Sequence, residues 1–222
     1  MAGELTLEQA RALVGNDVLW PHVRDFLWRF ASQIDATWID DLRAASHLPS
    51  DVSAAAWTSP RVQAWLLDEL GVAPCFHDFP ATDGSRLLLL DAAMLDALAR
   101  WLGALAYARS LRRLTDGAAV RAFKAALPGV YPDVLSYTAY FKAVESNGVD
   151  APTADDVVAA GYGQLFSLFA ALPAPLVARL VFKFPKSRRS LCVPQDGRAV
   201  TLAVVHKLLK LKFPEAYRIC CL

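Results

Sequence analysis

The most apolar stretch of this chain runs from Leu87 to Leu111, and it carries Asp91, Asp96, Arg100 and Arg109. Four charges are too many for a helix that spans a membrane. The stretch must therefore be buried in protein, as one helix or a helix pair. A chain with 55% hydrophobic and 20% charged residues has the material to bury it, and the same balance excludes disorder. Its 222 residues suffice for one large domain or two small ones. The Ala and Leu load with few Gly points to helices. Six Trp provide large anchors for a core, with some available for an interface. The opening residues carry Glu4 and Glu8, and no apolar run follows a basic start, so no secretory signal is read. The expectation is a soluble, cytoplasmic protein.

Start and stop signals divide the chain into helices. Thr6-Leu7-Glu8-Gln9 fits a capping box and Gly15 a stop, which predicts a short helix near Leu7 to Val14. Pro21 suits a first helical turn and opens a stretch through Phe30, with Phe26, Phe30 and Ile34 at spacing four. Trp38 to Ala45 continues helically, and His47 to Ser53 is a break. Ser59-Pro60 starts a helix that runs to Leu70 and stops at Gly71. Val72 to Ser85, with Pro74, Pro80, Asp83 and Gly84, is irregular. Leu87 to about Arg113 is helical with a weak interruption at Gly103, and Asp96 and Arg100 pair on its wet side. Ala118 to Leu127 and Pro132 to Ser146 follow. Thr153 and Asp156 start a helix to Leu172, Pro175 opens one to about Phe184, Lys186 to Gly197 is a basic loop, and Arg198 to Lys212 is the last helix. The predicted class is all-α, an irregular globular assembly of about eight to ten helices with little or no sheet. Residues 1–72 read as an N-terminal lobe and 86–222 as the main body, or the two form one continuous domain.

Catalytic and nucleotide signatures are missing. Gly161-Tyr162-Gly163 is only G-x-G inside a helical pattern, and it reads as a small-residue surface against a neighbouring helix. His22, His47, His77 and His206 are never three or four apart, so no helical metal face is suggested. Cys75, Cys192, Cys220 and Cys221 have no CxxC spacing, and they read as buried or idle thiols. Cys75-Phe76-His77-Asp78 offers a thiol beside a base, which makes a thiol enzyme a remote rival. Adjacent loop side chains rarely hold the geometry of such a pair. No cofactor, metal or catalytic residue is expected.

Charge is sorted along the chain. From Arg179 onward there are 10 Lys and Arg against 2 Asp and Glu, which leaves 13 basic and 20 acidic residues before it. Lys186, Arg188 and Arg189 lie in the basic loop, and His206, Lys207 and Lys210 share one arc of the last helix. These six residues are the candidate partner-binding set. The bland alternative is a solvated face on a core helix. A basic helical binder of nucleic acid or of an anionic membrane surface is a rival, although aromatic residues are not interleaved as a nucleic-acid groove prefers.

Two fragments carry a resemblance. Arg179-Leu180-Val181-Phe182-Lys183-Phe184-Pro185 and His206-Lys207-Leu208-Leu209-Lys210, with Pro214 after it, resemble the SctK (YscK-like) family of type III secretion systems. The aromatic-apolar stretch from Phe166 to Pro173 is also similar. Before residue 85 the likeness is faint, limited to the helix near Pro21 and to Leu66 to Leu70. The resemblance implies a largely α-helical, non-catalytic accessory component of the injectisome sorting platform. It implies contacts with the cytoplasmic domain of the ring protein SctD and with the pod protein SctQ, with SctL and the ATPase SctN beyond, at the cytoplasmic face of the inner membrane. The terminal Ile219-Cys220-Cys221-Leu222 has no counterpart in that pattern.

Overall fold

A computed structural model describes residues 19–46, 57, 59–73, 79, 83–137, 141, 152–194 and 200–221. The expected first helix near Leu7, the break after His47 and the Cys75 to Asp78 loop lie outside the described residues. The protein is all-α, with no strand among the described residues. Its helices divide between two compact units. One comprises residues 1–92, 171–189 and 213–222, and the other 93–170 and 190–212.

In the first unit, α1 (Trp20–Trp28) has Pro21 in its first turn and buries Trp20, Val23, Phe26 and Leu27, a stripe at helical spacing. A 3-10 turn, Phe30–Ser32, leads to α2 (Ala36–Ser46). The Asp35 carboxylate starts α2 by accepting from the Thr37 amide at 2.9 Å and its hydroxyl at 2.7 Å. α3 (Pro60–Glu69) is capped by the Ser59 hydroxyl, which accepts from the Val62 amide at 3.3 Å. It stops before Gly71, whose φ of +63° is a left-handed conformation that glycine takes without strain. A buried Gln63 ties these pieces together. Its side chain accepts from the Ala31 N–H at 3.0 Å and donates to the Trp57 carbonyl. Phe30, Ile34, Trp38, Leu66, Leu67, Val72 and Phe182 form the core around it. The unit is completed by α4 (Asp83–Arg86), the 3-10 turn Leu87–Leu89, α10 (Ala174–Val181) and α12 (Pro214–Cys221), which packs on α4.

The second unit is built on α5 (Ala92–Ala106), the buried apolar stretch, and α9 (Ala154–Ser167). The two backbones meet where Gly103 faces Gly161. A Cβ on Gly103 would lie 2.0 Å from the Val157 carbonyl oxygen, and one on Gly161 would lie 2.0 Å from that of Ala99. α5 runs through Gly103 without interruption and breaks at Tyr107, before α6 (Ala108–Arg112). α7 (Gly117–Ala126) is capped by Asp116 and followed by Gly129 at φ +72°, and α8 (Asp133–Tyr137) comes next. Thr153 and Asp156 form the reciprocal capping box expected for α9. α11 (Leu202–Lys212) buries Val205, Leu208 and Leu209.

Three expectations need correction. The Asp96–Arg100 pair forms at 2.7 Å, but it is part-buried rather than on a wet face. Asp96 also accepts from the Tyr162 hydroxyl at 2.6 Å, and Arg100 donates to the Ala126 carbonyl at 2.8 Å. The start of the expected basic loop is a 3-10 segment, Lys186–Leu191. The last helix does not end the chain's helical part: α11 starts at Leu202, and Pro214 opens a further helix, α12, as a first-turn proline does.

Candidate partner-binding surfaces

The basic C-terminal third splits into charges that hold the fold and charges that face outward. Arg179 and Lys183 belong to the first kind. Arg179, on α10, is fully buried, and its guanidinium donates to the carbonyls of Leu27 at 2.9 Å and Phe26 at 3.3 Å. Those are among the last carbonyls of α1, where the helix dipole favours a cation. The guanidinium also stands 5.2 Å from the Phe30 ring centroid. Lys183, 3% exposed, donates from Nζ to the Leu88 and Leu90 carbonyls, both at 2.7 Å, and lies 5.0 Å from the Phe26 ring. Burial pushes its pKa down to about 7, against the opposing pull of the Asp91 charge.

The six sequence-predicted residues fall into two groups, one in each unit. In the first unit, Lys186 is exposed and bonds the Asp41 carboxylate, while its backbone N–H donates to the Thr37 hydroxyl at 2.9 Å. Arg189 is exposed with its guanidinium 5.6 Å from the Trp38 ring, and Arg188 is half-buried. The Trp38 indole N–H donates to the Phe184 carbonyl at 2.9 Å, and its ring meets Phe182 edge-on, so the surface cations rest on a fixed aromatic base. In the second unit, Lys207 and Lys210 are exposed, with Lys207 5.4 Å from the Phe141 ring. His206 is half-buried, and its Nε2 is buried with no hydrogen-bond partner among the described residues.

Lys212 has a role that the sequence does not announce. It donates to Asp133 at 2.8 Å and lies 4.2 Å from the Tyr137 ring and 4.9 Å from the Trp101 ring. Partial burial works against its charge, but bonds to Asp133 and Tyr137 outweigh it and the pKa is raised. Only the i,i+3 and i,i+4 neighbours of a helical lysine can be read from sequence, and its partners here lie far away in the chain. The same unit has a cavity of about 380 Å³ lined by Tyr107, Ala160, Gly163 and Leu191, and the first unit has one of about 440 Å³ lined by Ile34, Ile39, Arg43 and Trp57. Each lining includes a serine and an aspartate but no histidine, lysine or cysteine, so neither pairs a hydroxyl with a nitrogen base. Among the described residues no three His, Cys, Asp or Glu side chains gather as a metal site would need. No helix of the described residues is long and apolar enough to cross a membrane. Cys192 and Cys220 are buried, and Cys221 is half-buried.

Fold and surfaces together define a helical protein with two compact units, buried cationic clamps and outward basic patches. Residues 25–129, just under half of the chain, match the family model described as YOP proteins translocation protein K (YscK), a family of type III secretion proteins, and this similarity supports a YscK (SctK) assignment over that span. The match runs from within α1 through α7. It includes the part where the sequence resemblance is faintest, before residue 85, and the two C-terminal fragments lie beyond it. No curated protein and no solved structure matches the chain.

Proposed function

We propose that this chain is a non-catalytic adaptor of a type III secretion sorting platform. In this reading it bridges an SctD-like ring protein to an SctQ-like pod protein, with an SctL-like stator beyond, at the cytoplasmic face of the inner membrane. The family match over residues 25–129 is the observation that carries the reading. The exposed cations Lys186 and Arg189 in one unit and Lys207 and Lys210 in the other support it, because a bridge needs at least two surfaces. Such charges set orientation and encounter rate more than affinity.

The test is co-purification of the full chain with ring and pod proteins from the same secretion system. Retention of both through one bait is the expected result. R188E/R189E should weaken capture of at least one of them while leaving the helical circular dichroism signal intact. A wild-type chain that retains neither protein would overturn the adaptor reading.

A further inference from the structure

A further concentration of positive charge lies within the family-matched span, on α6 and α7. Between Ala108 and Ala126 the chain has Arg109, Arg112, Arg113, Arg121 and Lys124 against a single acid, Asp116. That carboxylate is committed to capping α7, accepting from the amides of Ala118 at 3.2 Å and Ala119 at 2.8 Å. Arg112 donates to the Leu135 carbonyl at 2.9 Å, which brings no net countercharge. Arg113, Arg121 and Lys124 are exposed and have no ion pair among the described residues.

α7 turns most of its surface outward. Phe123 is its one fully buried side chain, while Gly117, Ala118, Arg121, Ala122, Lys124 and Ala125 are exposed. At roughly 100° per residue these positions fill an arc of roughly 160°. Lys124 and Arg121 hold one side of the arc, and Ala125, Ala118 and Ala122 the other. Small side chains let another backbone come close, and the two cations flank that ridge.

We propose that the α6–α7 arm docks an acidic segment of a partner protein, laid along α7 with its carboxylates against Arg121, Lys124 and Arg113. The same arm is a poor fit for other polyanions. Among the described residues the nearby aromatics Tyr107, Phe123 and Tyr131 are buried, and Tyr137 is half-buried with Lys212 against its ring, so nucleobases find no fully exposed ring there to stack on. The large hydrophobics exposed among the described residues are Val193 and Leu211, neither on this arm, so it has no side chain to sink into a bilayer. Protein carboxylates are the chemistry left.

The test titrates the full chain at low ionic strength into fluorescein-labelled poly-L-glutamate and reads anisotropy. R121E/K124E should weaken binding at least about tenfold, and the milder R121Q/K124Q about threefold. R61E/R218E makes the same change in net charge at exposed positions elsewhere, and it should change binding less than about twofold. Equal losses in R121E/K124E and R61E/R218E, or no binding by the wild type, would overturn the proposal. So would tighter binding of single-stranded DNA or phosphatidylserine vesicles through Arg121 and Lys124. If the wild type binds poly-glutamate but retains no ring or pod protein, the adaptor reading fails and this one stands.

Discussion

Lys183 shows how far a residue's sequence context can mislead. Within Arg179-Leu180-Val181-Phe182-Lys183-Phe184-Pro185 it reads as one more charge of a basic tail, yet it is buried and closes on two backbone carbonyls. Nothing in a local pattern announces acceptors contributed by Leu88 and Leu90, more than ninety residues earlier. Its protonation is linked to stability. The pKa is about 7 in the fold against 10.5 for a free lysine, because burial penalises the charge. Between those values the unfolded chain binds more protons than the folded one, so stability rises with pH. The gain is complete above pH 10.5 and is lost as pH falls to about 7, on the order of 5 kcal/mol across the window. Urea unfolding of wild type and K183M from pH 7 to pH 10 should therefore show the wild type gaining stability relative to the variant as pH rises. Parallel curves would remove the linkage.

At the scale of elements, local signals carry through to the structure and tertiary contacts stay hidden until the chain is folded. Ser59 and Thr153 start the helices that their side chains announce, and Gly71 follows the stop. Each acts within a few residues, so the sequence contains the whole cause. Where α5 breaks is a different matter. Gly103 looks like the weak point, but it is needed for the approach of α9, and the interruption falls at Tyr107. A methyl at Gly103 or Gly161 would strike backbone carbonyls, which cannot rotate aside. G103A and G161A should each cost at least about 3 kcal/mol. G117A meets only the tip of Arg121, at 3.6 Å, and should instead stabilise α7 by about 0.5–1 kcal/mol. Thermal melts of the three variants compare the two outcomes directly, and a tolerated G161A would disprove the close crossing.

For the whole molecule, the excess of positive charge from Arg179 onward cannot be taken as one surface. Arg179 and Lys183 are engaged inside the first unit, Lys186 is bonded to Asp41, and Lys212 is bonded to Asp133. The sequence counts charges but does not say which ones are already answered, because the answering groups come from distant positions. Among the described residues, what faces outward is smaller: Arg189 beside Lys186 and Arg218 beside Glu215 in one unit, and Lys207 with Lys210 in the other. An adaptor with two partners would use such patches separately. R188E/R189E and K207E/K210E should then each lower the capture of a different partner, ring protein in one case and pod protein in the other, by about tenfold. Most of that loss should lie in the association rate and shrink as salt is raised, since exposed charges steer encounters and are screened within about 10 Å at 0.1 M salt. Surface-plasmon measurements of each variant against each partner separate the cases. If both variants lose the same partner and keep the other, the two patches do not serve as the two ends of a bridge.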